Sequence, residues 1–412
     1  MNLQDGQQIS ACRLCGGHVR QVLDFGRQPV SNAFIRPEDL ERETYFELTV
    51  GLCENCSMVQ QLNEVARDRM FHHDYPYRSS LSSLMSKHFA QVAQQLVETE
   101  LLDSDSFVVE IGSNDGILLS AVSEEGIRHL GVDPSRGAAN VAAERGVRVM
   151  VDFFEENTAR RIRAEHGPAD VIFSANTTSH IAYLDSVLRG VELLLAPGGV
   201  FVVEDRYLAD IIANNYFDQI YDEHFYLFSV RSVAALAARS GLELVDAERL
   251  PVHGGSIRYT IARPGTRPVR NAVPELIEEE RAAGLADAAT FRGFATNIDR
   301  VGNDLVTLLR ELRAEGKSVL GYGATSKSAT VTNYFDIGPE LVPYVCDTTP
   351  EKHGRVSPGS HIPVRPAEAF QPYPDYALLF AWNHAEEIMA KERGFRESGG
   401  RWILYVPDVH IA

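Results

Sequence analysis

No apolar run in this 412-residue chain approaches the ~20 residues needed to cross a bilayer. No contact with a membrane is therefore expected. The first residues, Met1-Asn2-Leu3-Gln4-Asp5-Gly6, lack the basic start and greasy core of a signal peptide. The expectation is a cytoplasmic protein. Positive charge is also scarce: 39 Lys and Arg stand against 57 Asp and Glu, a net charge of −18. Nucleic acid needs a basic footprint, so it is not expected as a partner. A small phosphorylated ligand needs only one local patch and stays compatible.

Cysteine is scarce as well, at five residues, but four of the five form two Cys-x-x-Cys pairs, Cys12/Cys15 and Cys53/Cys56. In a cytosolic chain this spacing points to metal rather than to disulfides. Two such knuckles complete a tetrahedron around zinc. With all four positions filled by protein, the zinc should be structural. Cys346 is left over and reads as a packed thiol.

The chain is organised around Val108-Val109-Glu110-Ile111-Gly112-Ser113-Asn114-Asp115-Gly116. A short apolar stretch reaches a glycine-punctuated turn, and Ile117-Leu118-Leu119 opens a helix. A buried parallel strand hands over to a helix in this way in a doubly wound sheet. A side chain at either glycine would force a strained turn or hold a ligand off the backbone. Glu110 can accept hydrogen bonds from a cationic or hydroxylated ligand. The spacing is acid-x-Gly-x-x-x-Gly and not Gly-x-Gly-x-x-Gly, which favours an adenosyl ligand without a pyrophosphate.

The next four strand candidates strengthen this. Residues 129–132 read as a second strand ending in Asp133, placed for both ribose hydroxyls. Residues 147–151 read as a third, ending in Asp152 and Phe153, an acid for the adenine amino group and a ring to stack on it. Residues 171–175 read as a fourth, ending in Asn176. Leu194-Leu195-Ala196-Pro197-Gly198-Gly199 turns into a fifth over 200–203, ending in Glu204-Asp205. This order looks like that of class I methyltransferases using S-adenosylmethionine.

Length suggests two or three domains. Residues 1–68 read as a small metal-stapled domain, with the polar turn Pro29-Val30-Ser31-Asn32 inside it. Residues 69–262 read as the adenosyl-binding domain. Near its start, Tyr75, Tyr77, Ser79 and Ser80 precede a helix over 83–97. Ser79 or Ser80 is either its N-cap or a ligand contact, for which a helix N-terminus suits phosphate. His180 follows the fourth strand, on the side where strand ends face the ligand crevice. Tyr221-Asp222-Glu223-His224-Phe225-Tyr226 packs ionisable groups among aromatics, unlike a solvated charge run. His253-Gly254-Gly255-Ser256 enters a last strand.

Residues 263–412 read as a third part. A charged helical arm covers 263–293 and a helix 294–314. Gly321-Tyr322-Gly323-Ala324-Thr325-Ser326-Lys327 then starts a second Rossmann-like unit. Strands are expected over 341–346, ending in Asp347, and over 376–380 and 402–406. The glycine loop, with Lys327 and later Lys352, suits a diphosphate. The fold class is therefore α/β: a class I methyltransferase domain, a Rossmann-like C-terminal domain and a small zinc-binding N-terminal domain.

Taken together, Cys12-x-x-Cys15 with Cys53-x-x-Cys56, Pro29-x-Ser31-Asn32, Tyr77-x-Ser79-Ser80, the Glu110–Gly116 run, Asn176-x-x-x-His180, Tyr221-x-Glu223-His224 and His253-Gly254-Gly255-Ser256 resemble the sugar C-methyltransferases of deoxysugar biosynthesis in antibiotic pathways. The likeness spans essentially the whole chain. It implies methylation at C3 of a TDP-linked 4-keto-6-deoxyhexose. It also implies that Ser31, Asn32, Ser79 and Ser80 meet the substrate. The loop holding Gly323, Thr325, Ser326 and Lys327, with Asp347 and Lys352, would hold the nucleotide end. Two stretches depart from the family pattern. Thr177-Thr178-Ser179 stands where the family is usually apolar, and Asp205-Arg206 where it often has a Phe-Pro-like pair. These departures leave room for a second activity, reduction of the 4-ketone with NADPH, which some family members combine with methylation.

For this chemistry His224 is the expected base, because histidine titrates near about 6.5, and Glu223 would orient it. Tyr221, Tyr75 or Tyr77, and His180 are candidates for the C4 oxygen or the sugar hydroxyls. Three other readings stand beside this one: an RNA methyltransferase with a zinc knuckle, opposed by the acidic balance, a dehydrogenase using the second glycine loop alone, and a non-catalytic adenosyl-binding protein. A monomer is the expected state.

Overall fold

The computed structural model describes residues 8–70 and 79–412. Tyr75 and Tyr77 lie outside the described residues. Among those described, the strands form three sheets.

The first sheet is antiparallel, in the order Val19–Pro29, Tyr45–Cys53, Val59–Gln61, Tyr226–Leu227. Its last strand comes from more than a hundred residues further on, so the N-terminal part is not closed by its own sequence. Its apolar residues do not form a private core either. Leu23, Phe25, Leu48 and Val50 share a buried cluster with Phe291, Ile298, Leu305 and Leu309. The small domain thus leans on a long C-terminal helix, as expected for a unit too small to bury its own core.

The second sheet has seven strands. Five are parallel, in the order Leu195–Arg206, Ala169–Ala175, Phe107–Ile111, Arg128–Val132, Val149–Met150. Ser256–Ala262 and Glu243–Leu250 then add antiparallel to the Leu195–Arg206 edge. Phe107–Ile111 is buried along its whole length, as a central parallel strand covered on both faces should be. The third expected strand shrinks to two residues, because it sits at the sheet's outer edge.

The third sheet has six strands, in the order Val364–Pro366, Val345–Asp347, Val319–Tyr322, Tyr376–Leu379, Arg401–Leu404, His410–Ile411, all parallel except the last. The strand expected over 341–346 starts only at Val345. Leu341 and Val342 instead pack into the core from a turn.

Two helix boundaries move. The long helix runs Ala288–Ala314, starting one and a half turns before the expected 294. Phe291 extends the apolar stripe Phe294, Ile298, Val301, Leu305, Leu309, Leu312 by one turn. The helix Ser83–Glu100 is capped by Ser82, whose hydroxyl accepts from Met85 N–H, and not by Ser79 or Ser80.

Candidate active site

Both parallel sheets end their central strands in a glycine turn, and the two turns line one cavity of about 540 Å³. On the first wall, Gly112 and Gly116 have φ of +72° and +78°. A Cβ at Gly112 would come within 2.2 Å of Thr177 Oγ1, so only glycine fits there. Asp133 ends the next strand. Its two oxygens accept from Asn114 N–H (2.9 Å) and Ser135 N–H (2.8 Å). Burial raises its carboxyl to about 6.

The adenosyl candidates divide into two groups. Gly112, Asn114, Asp133, Phe153 and Asn176 line the cavity. Glu110, Asp115, Gly116 and Asp152 do not. Glu110 is buried beneath the turn, where burial and the nearby Asp133 and Asp115 push its carboxyl well above the usual range. Asp115 accepts from Ser80 N–H (3.3 Å) and faces Arg145. Gly116 opens the following helix in a left-handed conformation. Asp152 pairs with Arg161 at 2.8 Å. These four shape the wall and do not form its surface. Phe153 carries the Arg67 guanidinium 4.3 Å over its ring, which leaves the other face for a ligand.

The opposite wall comes from the third sheet. Gly323, with φ of +85°, leads into Thr325, the N-cap of helix Ser326–Tyr334. Gly323, Thr325, Ser326, Lys327, Asp347 and Lys352 all line the cavity. Asp347 accepts from Ala324 N–H (2.7 Å) and Thr349 N–H (2.7 Å), as Asp133 does on the first wall. Lys327 donates to Asn383 Oδ1 (2.6 Å). Burial draws its ammonium down to about 8, with Asp218 opposing. Lys352 donates to Ala324 O (2.7 Å) and lies 4.9 Å over the Phe34 ring. Burial lowers it also, against Asp347 and Glu223.

Between the walls sits the segment Tyr221–Phe225, held from the N-terminal domain. Ser31 N–H donates to Asp222 (2.9 Å), Asn32 Nδ2 to Glu223 (2.6 Å) and Gln61 Nε2 to the His224 carbonyl (2.9 Å). This is what the Pro29–Asn32 turn does locally. Asn32 reaches the cavity and Ser31 lies behind it. Ser79 lines the cavity, whereas Ser80 is spent on Asp115.

Tyr221, Glu223 and His180 line the cavity, but His224 does not. Its ring stacks on His180 at 5.0 Å and lies 3.9 Å from that of Tyr221. The expected base is therefore one side chain behind the wall. Its Nδ1 is bound to the Gln219 carbonyl. A carbonyl can only accept, so Nδ1 carries the proton and Nε2 keeps the lone pair. Nε2 has no hydrogen-bond partner among the described residues. Burial first, then Arg206 and His180, hold His224 well below the usual histidine range.

Several lining residues were not expected from the sequence alone: Arg206, Gln219, His253, Asn383, His384 and Lys391. Arg206 and His253 stood in stretches already marked, at a strand end and before a Gly-Gly pair. The others had no local signal. Glu204 is already paired, to His88 (2.7 Å) and Arg258 (2.7 Å).

The four paired cysteines come together away from this cavity. Their sulfurs lie within 4.8 Å of one another, with Cys15–Cys53 at 3.4 Å and Cys12–Cys56 at 3.7 Å. Sulfurs about 2.3 Å from one zinc would stand about 3.8 Å apart. Leu14 N–H, Gly17 N–H and Cys56 N–H point at Cys12, Cys15 and Cys53 sulfurs. Thiolates are favoured by such donors, so the set fits the ion.

Three family models match along the chain: a zinc binding domain over 12–71, a methyltransferase domain over 78–247 and a C-methyltransferase C-terminal domain over 251–407. The chain is 38% identical over 408 residues to C-methyltransferase NovU of Streptomyces niveus, a match spanning 98% of this chain and 97% of that protein. A shorter match, 33% over 101 residues, is to a ubiquinone biosynthesis O-methyltransferase of a Caulobacter species, covering 23% of this chain and 39% of that one. A solved SAM-dependent methyltransferase from Anabaena variabilis is 18% identical and covers 42% of this chain and 83% of its own, with a TM-score of 0.34.

The three matched domains, in this order, define a methyltransferase with an N-terminal zinc-binding domain. The chain belongs to the C-methyltransferase family, and it is an S-adenosylmethionine-dependent C-methyltransferase.

Proposed function

We propose that this enzyme methylates C3 of a TDP-linked 4-keto-6-deoxyhexose through an enolate. The observation that supports it most is the shared cavity. Asp133 and Phe153 sit on one wall, Lys327 and Lys352 on the other, and Tyr221, Glu223 and His180 lie between. A methyl donor and a sugar diphosphate could then meet across this middle segment. In this reading residues 1–68, 69–262 and 263–412 act as one catalytic unit.

Gly112, Asn114, Asp133, Phe153 and Asn176 would hold the methyl donor, which supplies an electrophilic methyl group when bound. The buried Asp133 carboxylate would accept from the ribose hydroxyls. Thr325, Ser326, Lys327 and Lys352 would hold the diphosphate. Two ammonium groups and a helix N-terminus suit a doubly charged anion. The four cysteines would hold a zinc that staples the N-terminal domain and takes no part in the chemistry.

A carbon beside a ketone needs a base, an orienter and fixed geometry. His224 supplies a neutral imidazole with its lone pair on Nε2. Glu223, tied to Asn32, orients the segment. His180 and Tyr221 cover His224, so a small shift of either ring on substrate binding brings Nε2 to the carbon. Catalytic hydrogen bonds often tighten only in the substrate complex. Ketone reduction with NADPH gains no support from the matched domains, which are zinc-binding, methyltransferase and C-methyltransferase C-terminal ones.

The protein is to be incubated with S-adenosylmethionine and a panel of TDP-4-keto-6-deoxy sugars, and the products weighed. A gain of one methyl group on carbon is expected. No transfer to any keto sugar, with transfer to another acceptor, would replace the substrate.

A further inference from the structure

Arg206 ends the strand Leu195–Arg206 and faces the cavity. Its backbone N–H and its Nη1 both go to Asp205 Oδ1, at 2.9 and 3.2 Å. Its Nε donates to Gln219 Oε1 at 3.1 Å. These three nitrogens of the arginine are thus spent on aiming it.

The anchor is itself anchored. Asp205 is 1% exposed. It accepts from the Ser179 N–H (3.0 Å) and Ser179 hydroxyl (2.9 Å). Gln219 also accepts, at its backbone carbonyl, the Nδ1 proton of His224. One residue therefore ties the arginine to the expected base. A buried carboxylate with this many donors is costly to build merely to hold an arginine in place. Asp205 alone does not cancel the field of Arg206: burial first, with the guanidinium adding to it, lowers His180, His224, His253 and Lys327. His180, His253, Lys327 and Arg206 all line the cavity, with His224 stacked behind His180.

We infer that Arg206 is a catalytic residue whose guanidinium holds the sugar O4 as negative charge develops there, with Ser179, Asp205 and Gln219 as its positioning residues. This rests on the proposed substrate. The C3–H bond breaks and the proton goes to His224. That electron pair becomes the C3=C4 bond, and the carbonyl π pair moves onto O4, against Arg206. The O4 pair then re-forms the carbonyl while the C3=C4 pair bonds to the methyl carbon. The S–CH3 pair stays on sulfur as a thioether. The proton on His224 leaves to solvent. A fixed cation at O4 costs no reorganisation when charge appears, which is why such groups accelerate enolisation.

The test follows solvent deuterium entering C3 of a TDP-4-keto-6-deoxy sugar, with S-adenosylhomocysteine in the methyl-donor site. R206M should slow exchange by about 10²- to 10³-fold and change sugar-nucleotide Kd by less than about threefold. R206K keeps the charge but loses the fork, and should fall between. D205N and S179A should lower the exchange rate with little change in KM. Bound S-adenosylhomocysteine reports a folded protein. A variant that fails to bind it is set aside, and R206K decides. Wild-type exchange in R206K and R206M would overturn the role. So would a rise in Kd alone, which would make Arg206 a diphosphate ligand. If wild-type protein neither exchanges C3 nor methylates any keto sugar, the substrate reading fails first, and this inference fails with it.

Discussion

His180 and His224 stack at 5.0 Å with their planes 25° apart, inside a wall that keeps both rings neutral. Burial, with Arg206 nearby, lowers both well below the ordinary 6.5. The unfolded chain therefore binds more protons than the folded one below about pH 6.5. Stability contributed by the two rings is fully present above that pH. It is lost as pH falls from about 6.5 toward the folded values. Thermal unfolding from pH 7.5 down to 5 should show this decline. His224→Asn should make it shallower, and an unchanged slope would mean His224 is not held neutral.

Asp133 gives a second prediction. Its carboxylate accepts two backbone N–H groups and faces the cavity. Asp133→Asn should weaken S-adenosylhomocysteine binding by roughly 10-fold or more, since a buried acceptor to hydroxyls is lost, at about 1–3 kcal/mol. Wild-type affinity should also fall as pH drops through about 6, where the carboxylate takes a proton. Calorimetric titration checks both.

The cysteine cluster gives a third. One zinc per chain is expected, and Cys53→Ser should lose it. The thermal midpoint should drop with the metal, because ion binding contributes directly to folding. Since Asn32 and Ser31 reach Glu223 and Asp222 from this domain, turnover should fall with it although the sulfurs are remote from the cavity. Metal analysis with calorimetry decides. A zinc-free protein with unchanged midpoint would remove the structural role.

Lys327 gives a fourth. Lys327→Met should raise the KM for the sugar nucleotide by about tenfold, the scale of one charge-assisted hydrogen bond, while S-adenosylhomocysteine affinity stays put. Equal loss for both ligands would assign the lysine to the fold.

What was legible in the sequence was local. The turn after Phe107–Ile111 could be read from its glycines, and the metal site from Cys-x-x-Cys spacing, because each needs only a few adjacent residues. The Tyr221–Tyr226 segment stood out because its charges sit among aromatics. Boundaries were less legible: Ser82, and not the expected Ser79 or Ser80, won the cap, since its hydroxyl meets Met85 N–H. Illegible were the partnerships made across the chain. Nothing near Tyr226 announces pairing with Gln60. Nothing near Arg206 names Ser179 or Gln219 as supports. Glu110 and Asp152 carried plausible chemistry, but Glu110 is buried beneath the turn and Asp152 pairs with Arg161; side-chain direction is decided by packing that spacing does not encode.

The central claim is that His224 takes the proton from carbon. The most direct measurement is deuterium entry at C3 of the keto sugar by His224→Asn, with S-adenosylhomocysteine bound. The account predicts that the variant binds both ligands near normally yet exchanges at least about 10²-fold more slowly, the scale of a lost general base. Exchange at the wild-type rate would contradict it and pass the role to His180 or Glu223 at the cavity surface.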